Sequence, residues 1–145
     1  MAVQPTGRVV RDRRGLELLL ERRIPADATT VWSWLTKPHH QRKWLGAAVA
    51  VTEGDAPLRV VLDDGAPVVI SLAEVDGVTM LFVGERVSDW RAAGEAGPRW
   101  EYALDRLRSH LSGEPAPDAS DYLPSQRPYY ERLAMDGDPV SWPPS

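Results

Sequence analysis

The chain has 145 residues, 43% of them hydrophobic and 26% charged, enough to bury one ordinary core and unlike the composition of a disordered polymer. Its net charge of −4 and pI near 5.4 argue against a protein that coats nucleic acid. It has no cysteine, which excludes disulfides, thiolate nucleophiles and cysteine-ligated metals. No apolar run approaches the roughly 20 residues of a membrane-spanning helix, and the start, MAVQPTGRVVRDRRG, lacks the apolar core of a signal peptide. No nucleic-acid partner, no membrane and a cytoplasmic location are the resulting expectations.

GRVVRDRRG and LELLLERRI predict two strands joined by a turn around Asp12 to Gly15. In the second, Leu16, Leu18, Leu20 and Ile24 alternate with Glu17, Glu21 and Arg23, while Leu19 and Arg22 break the pattern. Arg8, Arg11, Arg13, Arg14, Arg22 and Arg23 crowd this region. They read as the solvated side chains of a hairpin, with a basic patch for an anionic partner as the alternative.

Pro25 ends the strand and Asp27 is an N-cap. Ala28, Val31, Trp32 and Leu35 then share one face of a helix that stops before Pro38. Pro38 opens a second short helix, PHHQRKW, which delivers Trp44 to its far end, and Gly46 turns the chain away. Trp34 lies off the apolar stripe, so the pattern does not explain its burial.

Short strands follow: AAVAVT, LRVVL, PVVISLAEV and VTMLFVGERV. The Asp64-Gly65 and Asp76-Gly77 pairs suit tight turns between antiparallel neighbours. Val68, Ile70 and Leu72 face one layer. In the last strand both Thr79, Leu81 and Val83 and the opposite set Val78, Met80 and Phe82 are largely apolar, which predicts cover on both faces.

WRAAGEAGP reads as a Gly-rich connection. Trp100, Leu104, Leu107 and Leu111 then mark an amphipathic helix, with Pro98 near its first turn and Gly113 at its end. Seven of the thirteen prolines come after Gly113. That tail, interleaved with Tyr122, Tyr129, Tyr130 and Trp142, reads as too proline-rich for regular structure except one turn in YYERLA, and as able to adhere to a surface.

The chemistry is sparse. No phosphate-binding loop, dinucleotide fingerprint or nucleophile elbow is present. His39 and His40 are adjacent, point apart on a helix and lack a carboxylate at ligand spacing, so no metal site is expected; they read as solvated imidazoles titrating normally with no orienting partner. Glu85 continues the Thr79, Leu81, Val83 face. If that face lines a cavity, Glu85 is a candidate acid or base, as is His110 on the flank of the long helix. Each also has a bland reading, as a strand-end glutamate and a boundary histidine.

The order of elements, with ERRIPADATTVWSWLTKPHHQRKWLG early and GPRWEYALDRLRSHLSGEP late, resembles the START-like (SRPBCC) superfamily over residues 7 to 133. Val31-Trp32, the Leu35-Thr36-x-Pro38 step, Trp44 and Asp105-Arg106-Leu107 carry the likeness, and the branch named after the activator of Hsp90 ATPase is the most similar. The resemblance implies an α+β helix-grip fold: a curved antiparallel sheet around a long C-terminal helix, with two short helices and an apolar cavity between. It places Trp44, Leu81, Val83, Trp100, Leu104 and Leu107 on that cavity, and Trp32 and Ile70 join them as ligand-binding candidates. The stretch after Trp44 is shorter than in the family, so a sheet reduced in strand number is expected. The domain spans 7–113, with 114–145 as a tail packed on it.

The resulting expectation is a binding protein for a hydrophobic or aromatic small molecule, without cofactor. A START-like enzyme and an interaction module with a vestigial cavity are the alternatives. Val78, Met80 and Phe82 are to be covered by the aromatic tail or by a second copy in a homodimer. Hsp90 is not expected as a partner.

Overall fold

The computed structural model describes residues 3–46, 50–52, 58–61 and 67–136. Six strands form one antiparallel sheet in the order β1-β2-β6-β5-β4-β3. They are β1 (Arg8–Asp12), β2 (Gly15–Ile24), β3 (Ala50–Thr52), β4 (Leu58–Val61), β5 (Pro67–Val75) and β6 (Val78–Val87). The helices are α1 (Ala28–Thr36), α2 (Pro38–Trp44), α3 (Trp90–Ser112) and α4 (Leu123–Asp136). The architecture is α+β. Asp76 and Gly77, at φ 54° and 80°, make the tight β5–β6 turn that their sequence predicts; Asp64-Gly65 lies outside the described residues.

Register decides which side chains go inward. Leu16, Leu18, Leu20 and Ile24 of β2 are buried, as are Leu81, Val83 and Val87 of β6 and Val68 and Ile70 of β5. They form one core cluster with Val31 and Leu35 of α1, Trp44 of α2, and Trp100, Leu104 and Leu107 of α3. Two buried residues in this inward series are charged: Arg22 on β2 and Glu85 on β6. Arg22 therefore belongs to the inward phase of β2, and the solvated-hairpin reading is corrected for it.

The long helix starts earlier than its apolar stripe suggests. Asp89 caps it by accepting the Ala92 N–H at 2.9 Å, and Gly113 ends it at φ 79°. Pro98 is thus well inside α3, and WRAAGEAGP is helix rather than connection. Its small residues have a packing reason. Gly97 lies against the Tyr130 ring of α4 and Gly94 against Glu131, so closely that a β-carbon at Gly97 would sit 2.3 Å from the ring.

The segment after Gly113 is also corrected. A single 3-10 turn at Ala119–Asp121 leads into the fourteen-residue α4, despite Pro128 within it. α4 packs on α3 and β1. Pro124 falls in its first turn, where proline fits a helix, and the buried Gln126, Tyr130 and Ala134 hold the inner face.

Candidate functional site

The inner layer between the sheet and α2/α3 brings together most of the residues that the sequence proposes for a ligand. α1 is capped by Asp27, which accepts the Thr30 N–H at 2.8 Å, and Pro38 starts α2 so that Trp44 turns inward at its last position. The Trp44 and Trp100 ring centroids are 6.4 Å apart at 49°. Ile70, Leu81, Val83, Leu104 and Leu107 complete the same buried cluster, and Trp32 packs against it only half-buried. Both inner tryptophans have their one donor satisfied: Trp44 Nε1 donates to the Trp34 carbonyl at 2.9 Å and Trp100 Nε1 to Glu85 Oε1 at 2.6 Å.

Glu85 is the polar group of this layer. Besides the Trp100 indole it accepts from Arg99, whose Nη2 lies 3.1 Å from Oε1 and 3.4 Å from Oε2. Arg99 itself is half exposed, so this pair marks where the apolar layer meets solvent. A buried carboxylate held by two donors can orient a ligand's hydrogen-bond donor. No hydroxyl or imidazole is hydrogen-bonded to it among the described residues. No group of three or more His, Asp or Glu side chains suited to a metal occurs among the described residues either.

His110 lies elsewhere. It is exposed, and its Nε2 donates to the Lys43 carbonyl at 3.2 Å. With His40 it forms a stack on Trp34. The His40 ring is 4.3 Å from Trp34 and within 6° of parallel, and the His110 ring is 5.2 Å away. Lys43 Nζ is 5.8 Å from the same ring, and His39 lies 4.1 Å from His40. All three histidines thus gather at one corner of α1, α2 and α3, which explains the burial of Trp34 that the helical stripe leaves open.

The imidazole expectation is corrected in two respects. His40 has an orienting neighbour, since its Nδ1 is 3.3 Å from Ser33 Oγ. His39 is held below the usual imidazole range by partial desolvation and then by the positive charge of His40, Lys43, Lys37 and Arg42.

A second constellation escaped the sequence reading altogether. Arg22 Nη2 pairs with Glu101 Oε1 at 2.7 Å and Arg22 Nε with Asp105 Oδ1 at 2.9 Å. Glu101 also accepts from Thr6 N at 2.5 Å, Thr6 Oγ1 at 2.8 Å and Gly7 N at 3.2 Å, and from the Tyr130 hydroxyl. Burial pushes this carboxyl up, yet the hydrogen bonds from Arg22, Tyr130 and Thr6 together hold it below the ordinary glutamate value. The Tyr130 hydroxyl is pushed well above the ordinary phenol range by burial and then by the Glu101 charge. The two sequence signals were an arginine in the apolar phase of β2 and a glutamate beside Trp100. This network ties the N-terminal segment, β2, α3 and α4 together.

On the other side of the sheet, none of the described tail residues supplies the expected cover. Tyr122 packs edge-on against Tyr102 of α3 and Tyr130 against α3, on the helix side. Phe82 is 39% exposed, and Val78 and Met80 are half-buried.

No protein-family profile and no curated protein matches the chain. Solved structures do. The crystal structure of CalU16 from Micromonospora echinospora is similar at a TM-score of 0.68, with 19% identity over 92% of this chain and 99% of that one. EF2215 from Enterococcus faecalis, a conserved protein of unknown function, gives 0.70 with 16% identity over 92% of each chain. The protein encoded by BPP1335 of Bordetella parapertussis gives 0.62 with 16% identity over 91% of each. At these identities the likeness is one of fold.

Proposed function

We propose that the protein is a helix-grip, START-like binding protein for an apolar or aromatic small molecule, held between the sheet and α3. The observation that carries this reading is the Trp44–Trp100 pair, two large rigid aromatic surfaces in direct contact at 6.4 Å and 49° between α2 and α3, which a planar ligand would part on entering the layer. Tryptophan offers planar ligands a wide contact area at low entropic cost, and a few polar groups then fix orientation. Glu85, at the solvent-facing end of the layer with Arg99, supplies that group. The full-length likeness to CalU16 supports the fold half of the proposal.

Native mass spectrometry of freshly purified protein, followed by tryptophan fluorescence titration with planar apolar probes such as naphthol, tests it. A retained ligand or a saturable titration in the micromolar range is expected. Trp44→Ala should weaken binding at least tenfold, whereas changing His39 and His40 together to Gln should leave it intact. If no ligand is retained and no probe perturbs the fluorescence, the binding reading is wrong.

A second reading, an enzyme that uses Glu85 as acid or base, rests on the burial of that carboxylate against Trp100. Loss of turnover in Glu85→Gln with ligand retention unchanged would select it.

A further inference from the structure

The outward face of the sheet carries an aromatic knob beside a hollow. Phe82 stands 39% exposed on β6. Two residues along the same strand, Gly84 has no side chain; its register neighbours Leu19 and Val69 stand on either side, and the Glu17 carboxylate leans over it, 2.9 Å from where a β-carbon would stand. A hollow of about 330 Å³ lies there. The charged residues alternate on the same face: along β2, Glu17 and Glu21 point outward with Leu19, and Arg23 follows.

Knob and hollow so arranged are self-complementary. A twofold axis lying between the sheets, perpendicular to the strands and passing between Phe82 and Gly84, reverses the strand direction of one copy over the other. Each Phe82 then enters the partner copy's hollow over Gly84 as the Glu17 carboxylate that leans across it swings away. The same operation sets Arg23 of β2 opposite Glu17 of the partner copy, twice, so the charges match where the shapes do. We propose that a second copy of this chain docks on this face, with Phe82 in the Gly84 hollow and an Arg23–Glu17 ion pair at each end.

Physical size is consistent with a reversible dimer. The three long strands β2, β5 and β6 with the shorter β1 and β4, at about 3.3 Å per residue and about 4.8 Å between strands, give a face on the order of 600 Å² per copy, about the lower bound for a stable interface. Sheets packed face to face interdigitate their side chains about 10 Å apart, a gap that a phenyl ring spans. An isologous contact of this kind also closes on itself, so it stops at two copies.

Sedimentation velocity over a concentration series tests the proposal, with circular dichroism and thermal unfolding to confirm that each variant folds. The wild type should be a dimer at tens of micromolar protein, and Phe82→Lys a folded monomer at the same concentration. Glu17→Arg and Arg23→Glu should each weaken the dimer at least tenfold, and the double change should restore it, because the pair is rebuilt with its signs exchanged. Arg86 keeps its closer partner Asp12, at 2.7 Å, when Glu17 is changed.

A wild type that remains monomeric throughout the series overturns the proposal. So does a dimer that persists in Phe82→Lys, or a monomer found by native mass spectrometry to hold a small molecule that Phe82→Lys releases. Ligand retention by the inner layer is independent of these outcomes, since Phe82 points away from it.

Discussion

Arg22 of β2 and Glu101 of α3 meet at 2.7 Å with side chains only 7% and 1% exposed, a buried ion pair at the junction of four chain segments. Removing one partner leaves the other charge desolvated, which in buried pairs costs about 3–5 kcal/mol. Glu101→Ala should lower stability by that order in urea unfolding. Replacing Arg22 and Glu101 together by Met and Leu should cost less than Glu101→Ala alone. A double change that is worse than the single one would show that the pair contributes net stability and not only mutual compensation.

The same carboxylate predicts the direction of acid unfolding. Its value in the folded protein lies below the reference of 4.5, so its stabilisation is fully present above the unfolded value and is lost as pH falls through the folded one. Unfolding midpoints should therefore fall on acidification below about pH 4.5, with a shallower slope in Glu101→Gln than in the wild type.

Gly97 tests the packing of α4. In an open helix Gly→Ala stabilises by roughly 0.5–1 kcal/mol. Here the added β-carbon would meet the rigid Tyr130 ring at 2.3 Å. Gly97→Ala should instead destabilise by about 1–3 kcal/mol and expose the segment around residues 114–122 to limited proteolysis. Unchanged or increased stability would mean that α4 does not sit on α3 as closely as described.

Leu107 reports on the sheet–helix core. It is fully buried in the cluster that holds Trp44 and Trp100, and Leu107→Ala should cost about 2–5 kcal/mol. A loss below about half a kcal/mol, outside the range for a buried leucine, would contradict that placement.

For His39 the sign is set by its depressed value. The folded protein disfavours its protonation, so the stabilisation is present above the reference of 6.5 and declines as pH falls through the lower folded value. Thermal unfolding at pH 7 and pH 5 should differ slightly less for His39→Gln than for the wild type. A larger difference in the variant would reverse the assignment.

Elements set by local rules were legible in the sequence. Asp27 as a cap, Pro38 at the start of α2, the Asp76-Gly77 turn, the alternation of β2 and β6 and the Trp100-Leu104-Leu107 stripe all depend on residues a few positions apart, and each appears where its pattern puts it. The inward placement of Glu85 followed from the same alternation. The sequence thus determined the order of elements from β1 to the Trp100 stripe of α3, the inward phase of the sheet and the side of the core to which the two inner tryptophans belong.

What only the tertiary structure decided depends on partners far apart in the chain. The glycines of α3 read locally as helix breakers, yet Gly94 and Gly97 are helical because α4, some thirty residues later, needs that space. The proline-rich segment becomes α4 for the same reason: the Tyr130 hydroxyl completes Glu101, whose other donors come from residues near the N-terminus. Arg22 broke an apolar pattern whose meaning lay 79 residues away. Trp34 found its stacking partners on two other helices. Periodicity records which face of an element is apolar. It does not record what approaches that face, and buried charge pairs, close helix contacts and ring stacks are set by that approach.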